Sequence, residues 1–259
     1  MASPDDKNDT SLIEKWFFIR YTDPQHHIRL RMYKEDGSFG EILKELHQLL
    51  QPYLHTNLIA NFQSDTYKRE IERYGIANIE NSETLFCYDS IATVDILAKL
   101  ANDDSGDVLR WQFALFGTDK LLADFGLDLP AKKEFMTILQ TNFHAEFGIR
   151  NKDAKKMLSD KFRTERKAIT ELLTKEFVET DDIFPMIQIF EQRSQALKPI
   201  IATILEQHKL QVLGITLNDL LGSYVHMFIN RFLRSKQRQH ELVIYDFLVQ
   251  FYTSQLARK

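Results

Sequence analysis

The chain has 259 residues, 44% hydrophobic and 27% charged, the balance of a folded protein with a full core. A formal net charge of −4 excludes the bulk basic field that nucleic-acid backbones demand. Cys87 stands alone, which excludes an intramolecular disulfide and cysteine-based metal clusters and fits a reducing, cytoplasmic compartment. No apolar run nears the ~20 residues of a membrane span.

Residues 1–11, polar and acidic, read as a disordered leader without the basic start and apolar stretch of a signal peptide. Residues 16–21 (Trp-Phe-Phe-Ile-Arg-Tyr) are aromatic and β-branched and predict a strand, followed by a turn at Thr22-Asp23-Pro24-Gln25. From His27 to Tyr33 the chain alternates strictly. His27, Arg29, Arg31 and Tyr33 fall on one face, Ile28, Leu30 and Met32 on the other, which predicts a hairpin with a basic and an apolar side. A helix is expected from Ser38 or Gly40 to about Leu50, and a third strand over 58–62. Residues 67–74 fit strand or helix equally and stop at Gly75. A helix capped at 81–83 runs to about Leu100.

The Asn-Asp-Asp-Ser-Gly-Asp stretch at 102–107 is the strongest loop signal and the best internal boundary. Beyond it every segment reads as helix: 107–121, 129–147, 151–176, 184–208, 216–235 and 238–257. Pro185 suits a helix start, Pro199 predicts a kink or split, and Gly148 and Gly214 suit helix ends. The reading is α+β: a single domain over 12–258, with a small N-terminal antiparallel sheet and helices (12–101), then an all-helical half (107–258).

Three clusters carry chemistry. Arg29 and Arg31 project from one strand face beside His27 and suit bidentate recognition of carboxylate or phosphate, although a charged outer sheet face is the ordinary alternative. The Arg69-Glu70-Ile71-Glu72-Arg73-Tyr74-Gly75 string places Arg69 and Arg73 on one face as strand or as helix; a surface charge lattice has the same spacing. His226 and Asn230 lie one turn apart in an apolar helix that continues to Arg231. They would line a cavity or form a buried hydrogen-bonded pair, histidine being the side chain best placed to move a proton near neutral pH. No metal-ligand spacing, phosphate loop or nucleophile elbow is present, and no cofactor is implied.

Taken in order, these strings resemble the C-terminal elimination domain of lanthipeptide dehydratases and its stand-alone relatives among thiopeptide-type biosynthesis proteins. The match runs through 16–24, His27-Ile28-Arg29-Leu30-Arg31, 69–75, 82–90, 223–231 and Glu241, nearly the whole chain. Ile76 departs from it, where the family often has a second glycine. The resemblance implies a lyase that removes glutamate from glutamylated Ser or Thr of a precursor peptide, leaving dehydroalanine or dehydrobutyrine. It implies Arg29, Arg31, Arg73 and His226 as catalytic groups, with Arg69, His27, Asn230 and Arg231 as substrate contacts. The implied partners are the glutamylated precursor peptide and a separate tRNA-dependent glutamylation protein, with no direct nucleic-acid contact, and a homodimer is left open. Competing readings are a pyridine-forming thiopeptide cyclase of the same fold and a non-catalytic peptide-binding scaffold.

Overall fold

The computed structural model describes residues 12–37, 39–101, 106–149 and 152–258. The expected leader, Ser38 as a helix start, the 102–105 part of the loop and the helix start at 151 lie outside the described residues. The architecture is α+β as expected. Strands β1 (Lys15–Tyr21) and β2 (His27–Tyr33) precede helices α1 (Phe39–His55), α2 (Ile71–Tyr74), α3 (Ile79–Leu100), α4 (Gly106–Asp124), α5 (Leu129–Glu146), α6 (Lys152–Thr174), α7 (Phe184–Lys209), α8 (Leu217–Phe232) and α9 (Gln237–Leu256).

The two strands pair antiparallel, with Phe17 opposite Arg31, Ile19 opposite Arg29 and Tyr21 opposite His27. A lone hairpin is marginal in water, and this one is held by helices. Phe18 donates its N–H to Ser90 Oγ (3.3 Å) and accepts from Arg231 Nε (3.0 Å); Arg20 donates its N–H to Asn230 Oδ1 (2.8 Å) and accepts from Asn230 Nδ2 (2.9 Å). Side chains of α3 and α8 thus close the β1 edge in place of a third strand. The basic and apolar faces of β2 are as the alternation predicts, but the arginine face is the one sharing its side with buried Phe17 and Ile19. Ile28 and Leu30 are left 58% and 41% exposed.

The expected third strand over 58–62 is absent. Asn57 takes a left-handed φ of 56°, and residues 60–70 run without a ladder partner, leaving Leu58 exposed. Helix α1 continues to His55 through Pro52. The 67–74 ambiguity resolves into a segment without regular structure ending in the single turn α2. Pro199 does not split α7, which runs unbroken from Phe184 to Lys209.

The core lies among α3, α4, α7, α8 and α9, where Phe86, Phe113, Phe190, Tyr224, Phe228 and Tyr245 are almost fully buried. Phenylalanine supplies most of this bulk, and small residues make room for it: a Cβ on Gly117 would lie 2.2 Å from the Phe228 ring. Within the core Asp89 faces Arg193 (3.5 Å) and Arg231 (3.7 Å), all three side chains without exposure. Burial raises the Asp89 carboxyl and pulls the Arg231 guanidinium down to about 10, opposed in each case by the partner's charge. The cluster ties α3 to α7 and α8, fixing the helix that carries His226.

Candidate active site

Helix α8 begins at Thr216, whose hydroxyl accepts from the Asp219 N–H. Its middle is anchored by Tyr224, whose hydroxyl meets Asn78 Nδ2 (3.0 Å) and Ser82 Oγ (2.7 Å) and whose ring stacks on Tyr74. Two residues later His226 leaves the core, with 31% of its side chain exposed. Its Nδ1 lies 2.5 Å from Glu241 Oε1 of α9, a carboxylate with no exposed side-chain surface. Arg238 donates to the other Glu241 oxygen (3.1 Å), and Tyr245 donates its hydroxyl to Oε1 (3.4 Å). Arg238 also pairs with Glu146 of α5 and lies over the Phe143 ring at 4.0 Å. Burial first, and then the Glu241 charge, push the Tyr245 phenol well above its usual value, so it stays a donor. In the neutral ring, an acceptor fixed at Nδ1 places the imidazole proton there and leaves Nε2 as the lone-pair nitrogen.

A cavity of about 280 Å³ opens at this ring, lined by His226, Ser223, Tyr245 and Arg238 and walled by Phe135, Leu139 and Phe143. Arg73 reaches the same cavity from α2. Its place is set by the next two residues. Tyr74 is buried with its ring 5.2 Å from Phe86, and Gly75 turns the chain at φ 76°, where an added Cβ would sit 2.1 Å from the Leu213 carbonyl oxygen. Both the left-handed φ and the close approach require glycine. Arg73 retains one surface partner, Glu70 at 3.2 Å. Ile76, at the departing position, is 78% exposed.

The remaining predicted residues sit elsewhere. Arg29 and Arg31 are not among the cavity-lining residues. Arg29 lies over the Tyr21 ring at 3.9 Å and donates to His27 Nε2 (3.1 Å), while Arg31 lies over Tyr67 at 5.0 Å. No carboxylate among the described residues pairs with either. Arg69 is held bidentately by Glu83 (2.9 and 2.7 Å), and that bond raises its guanidinium further. Asn230 and Arg231 are occupied by the β1 main chain, and Arg231 is fully buried. The sequence therefore brings Arg73 and His226 together, while the hairpin arginines form a separate basic face. An aromatic column joins the two: Tyr67 on Phe17 (5.9 Å), Phe17 on Phe86 (5.4 Å) and Phe86 on Tyr224 (5.8 Å).

Sequence reasoning missed the supporting acid. Glu241 entered only as the last residue of the family match, with no role, yet Arg238, Glu241 and Tyr245 fall on one stripe of α9 at helical spacing. A larger opening of about 680 Å³ between α5, α6 and α9 holds His144 and Asp246 (3.5 Å apart) but no arginine among the described residues.

Among the described residues no helix is long and apolar enough to cross a membrane. The chain is similar to the nisin biosynthesis protein NisB of Lactococcus lactis subsp. lactis, 38% identical over 97 residues that make up 35% of this chain and 9% of that protein. The epidermin biosynthesis protein EpiB of Staphylococcus epidermidis is 23% identical over 236 residues, 90% of this chain and 22% of the relative. The subtilin biosynthesis protein SpaB of Bacillus subtilis is 28% identical over 134 residues, 51% and 13% respectively. In structure, the tRNA-dependent lantibiotic dehydratase MibB from Microbispora sp. 107891 shares the fold with a TM-score of 0.68 at 22% identity, covering 95% of this chain and 25% of that one. The chain thus spans a quarter or less of each of these proteins. The model of the lantibiotic biosynthesis dehydratase C-terminal family matches residues 5–252, nearly the full length, and the chain belongs to that family.

Proposed function

We propose that this protein is a lyase of ribosomal-peptide biosynthesis that removes glutamate from glutamylated Ser or Thr of a precursor peptide, a separate tRNA-dependent protein having made the ester. The observation that carries the reading is an imidazole backed by a buried carboxylate in a cavity that also receives an arginine. Elimination needs a base at the peptide Cα–H and positive charge where the neighbouring carbonyl becomes an enolate. His226 Nε2 takes the α-proton, the Cα–Cβ double bond forms, and the Cβ–O bond breaks to release glutamate as a carboxylate. Arg73, which lines the same cavity, stabilises the developing oxyanion. Arg29 and Arg31, which no acid among the described residues pairs, form a separate basic face that suits carboxylates of the peptide substrate outside the cavity.

Incubating the protein with a synthetic glutamylated peptide tests this. Mass spectrometry should show loss of glutamic acid without tRNA, and His226→Ala and Arg73→Ala should leave the heavier glutamylated peptide intact. Unchanged peptide with the parent protein, or full turnover by both variants, would refute the reading.

A further inference from the structure

The hairpin has one edge that the fold closes and one that it does not. On β1, the N–H and C=O groups of Phe18 and Arg20 point away from β2, because they meet Ser90, Asn230 and Arg231. In an antiparallel ladder, inward and outward residues alternate together across the pair. Phe18 faces Leu30 and Arg20 faces Ile28. The outward groups of β2 are therefore those of Ile28, Leu30 and Met32, and they bond to nothing else among the described residues. Of the usual edge guards β2 has neither lysine nor proline, its only charges being Arg29 and Arg31, and Ile28 and Leu30 are exposed.

The flanking charge selects the occupant. Arg29 and Arg31 stand on one face of β2 with no acid among the described residues paired to them, whereas Arg69, Arg73, Arg193, Arg231 and Arg238 each face a carboxylate. A strand added beside β2 would run about 4.8 Å away with alternate side chains next to those guanidiniums. A second copy of β2 would bring arginine against arginine, which opposes self-pairing. We infer that β2 docks an extended, carboxylate-bearing stretch of peptide substrate by strand addition, its main chain bonded to Ile28, Leu30 and Met32 and its acidic side chains set against Arg29 and Arg31. Docking deepens the lyase reading and rests on it for the identity of the peptide.

The test uses glutamylated peptides N-methylated at successive single main-chain positions, together with hydrogen exchange of the whole chain. Strand addition makes alternate methyl groups harmful: KM rises at least tenfold for one parity with kcat unchanged, and stays level for the other. It also slows exchange at the amides of Ile28, Leu30 and Met32. Leu30→Pro removes one outward N–H, leaves the ladder bonds of Arg29 and Arg31 in place, and should raise KM with unchanged circular dichroism. Elimination with no parity effect and no protection of these amides overturns docking while leaving the lyase reading standing. If no peptide loses glutamate, the lyase reading fails, and protection of the three amides then decides docking by itself. Protection that appears without peptide as protein concentration rises, with a doubled mass in light scattering, assigns the edge to a second copy and overturns the inference.

Discussion

Replacing Glu241 by glutamine changes no shape and one charge, and its effect is set by the three hydrogen bonds at this carboxylate, of which the 3.4 Å bond from the Tyr245 hydroxyl is the longest. In the parent protein both oxygens accept, one from His226 Nδ1 at 2.5 Å and the other from Arg238 at 3.1 Å. An amide has one acceptor and one donor, so it cannot serve both. A hydrogen bond from a guanidinium is worth about 1.5–3 kcal/mol against about 0.5–1.5 kcal/mol for a neutral one. The glutamine oxygen therefore turns to Arg238, and its NH2 faces Nδ1. That forces the imidazole proton onto Nε2, the nitrogen needed as base, and kcat should fall by about 10²–10⁴-fold, the usual range for losing a general base. Folding should weaken by only ~1 kcal/mol, since Arg238 keeps Glu146. Glutamate release measured under saturating peptide gives kcat, and nitrogen-15 shifts of His226 report the tautomer without reference to activity. An unchanged kcat together with a persisting Nδ1–H would refute the assignment of Glu241 as the positioning group.

Other parts of the fold give three further expected outcomes. Asn230→Ala removes both bonds to the Arg20 main chain and should cost ~2–4 kcal/mol in urea denaturation; a cost under about 0.5 kcal/mol would mean that the β1 edge finds other partners. Gly75→Ala meets both a left-handed φ and the Leu213 carbonyl, so it should destabilise by ~2 kcal/mol or more and lower elimination by displacing Arg73, readable as a parallel loss in melting temperature and kcat. Burial, then Lys236 and Lys161, hold the His240 imidazole below its usual value. The unfolded chain therefore binds this proton first as pH falls, and stability declines from about pH 6.5 until the folded value is passed, with a slope under about 1.4 kcal/mol per pH unit at this half-exposed site. His240→Gln should flatten that part of the stability profile, and an unchanged slope would exclude His240 as its source.

Much of the fold was legible because its signals are local. The strict alternation of 27–33, the aromatic run of β1 and the apolar periodicity from Leu129 onward each name their own element. The third strand failed because β-rich composition at 58–62 says nothing about whether a pairing partner exists, and the edge it would use on β1 is taken by Asn230 and Arg231. The same two residues explain why a polar stripe on α8 resembled a binding surface: hydrogen bonds to a distant main chain leave no mark in spacing. Arg73 was singled out through the Arg-Tyr-Gly ending that carries the family match, and the close approach at Gly75 gives that ending its physical reason. Glu241 was not, because its meaning depends on α9 lying against α8. The alternation of β2 separates a basic from an apolar side without saying what covers each: β1 puts buried Phe17 and Ile19 on the arginine side and buried Phe18 on the other.

The proposed elimination turns on carbon–hydrogen cleavage at the peptide α-carbon, assigned in this proposal to the His226 ring. A peptide carrying deuterium at that carbon of its glutamylated serine, followed through a single turnover, measures it directly. Cleavage by His226 predicts dehydroalanine as product, loss of the label and a slower reaction than with hydrogen. Release of glutamate with the label retained and serine restored would mean ester hydrolysis and would contradict it.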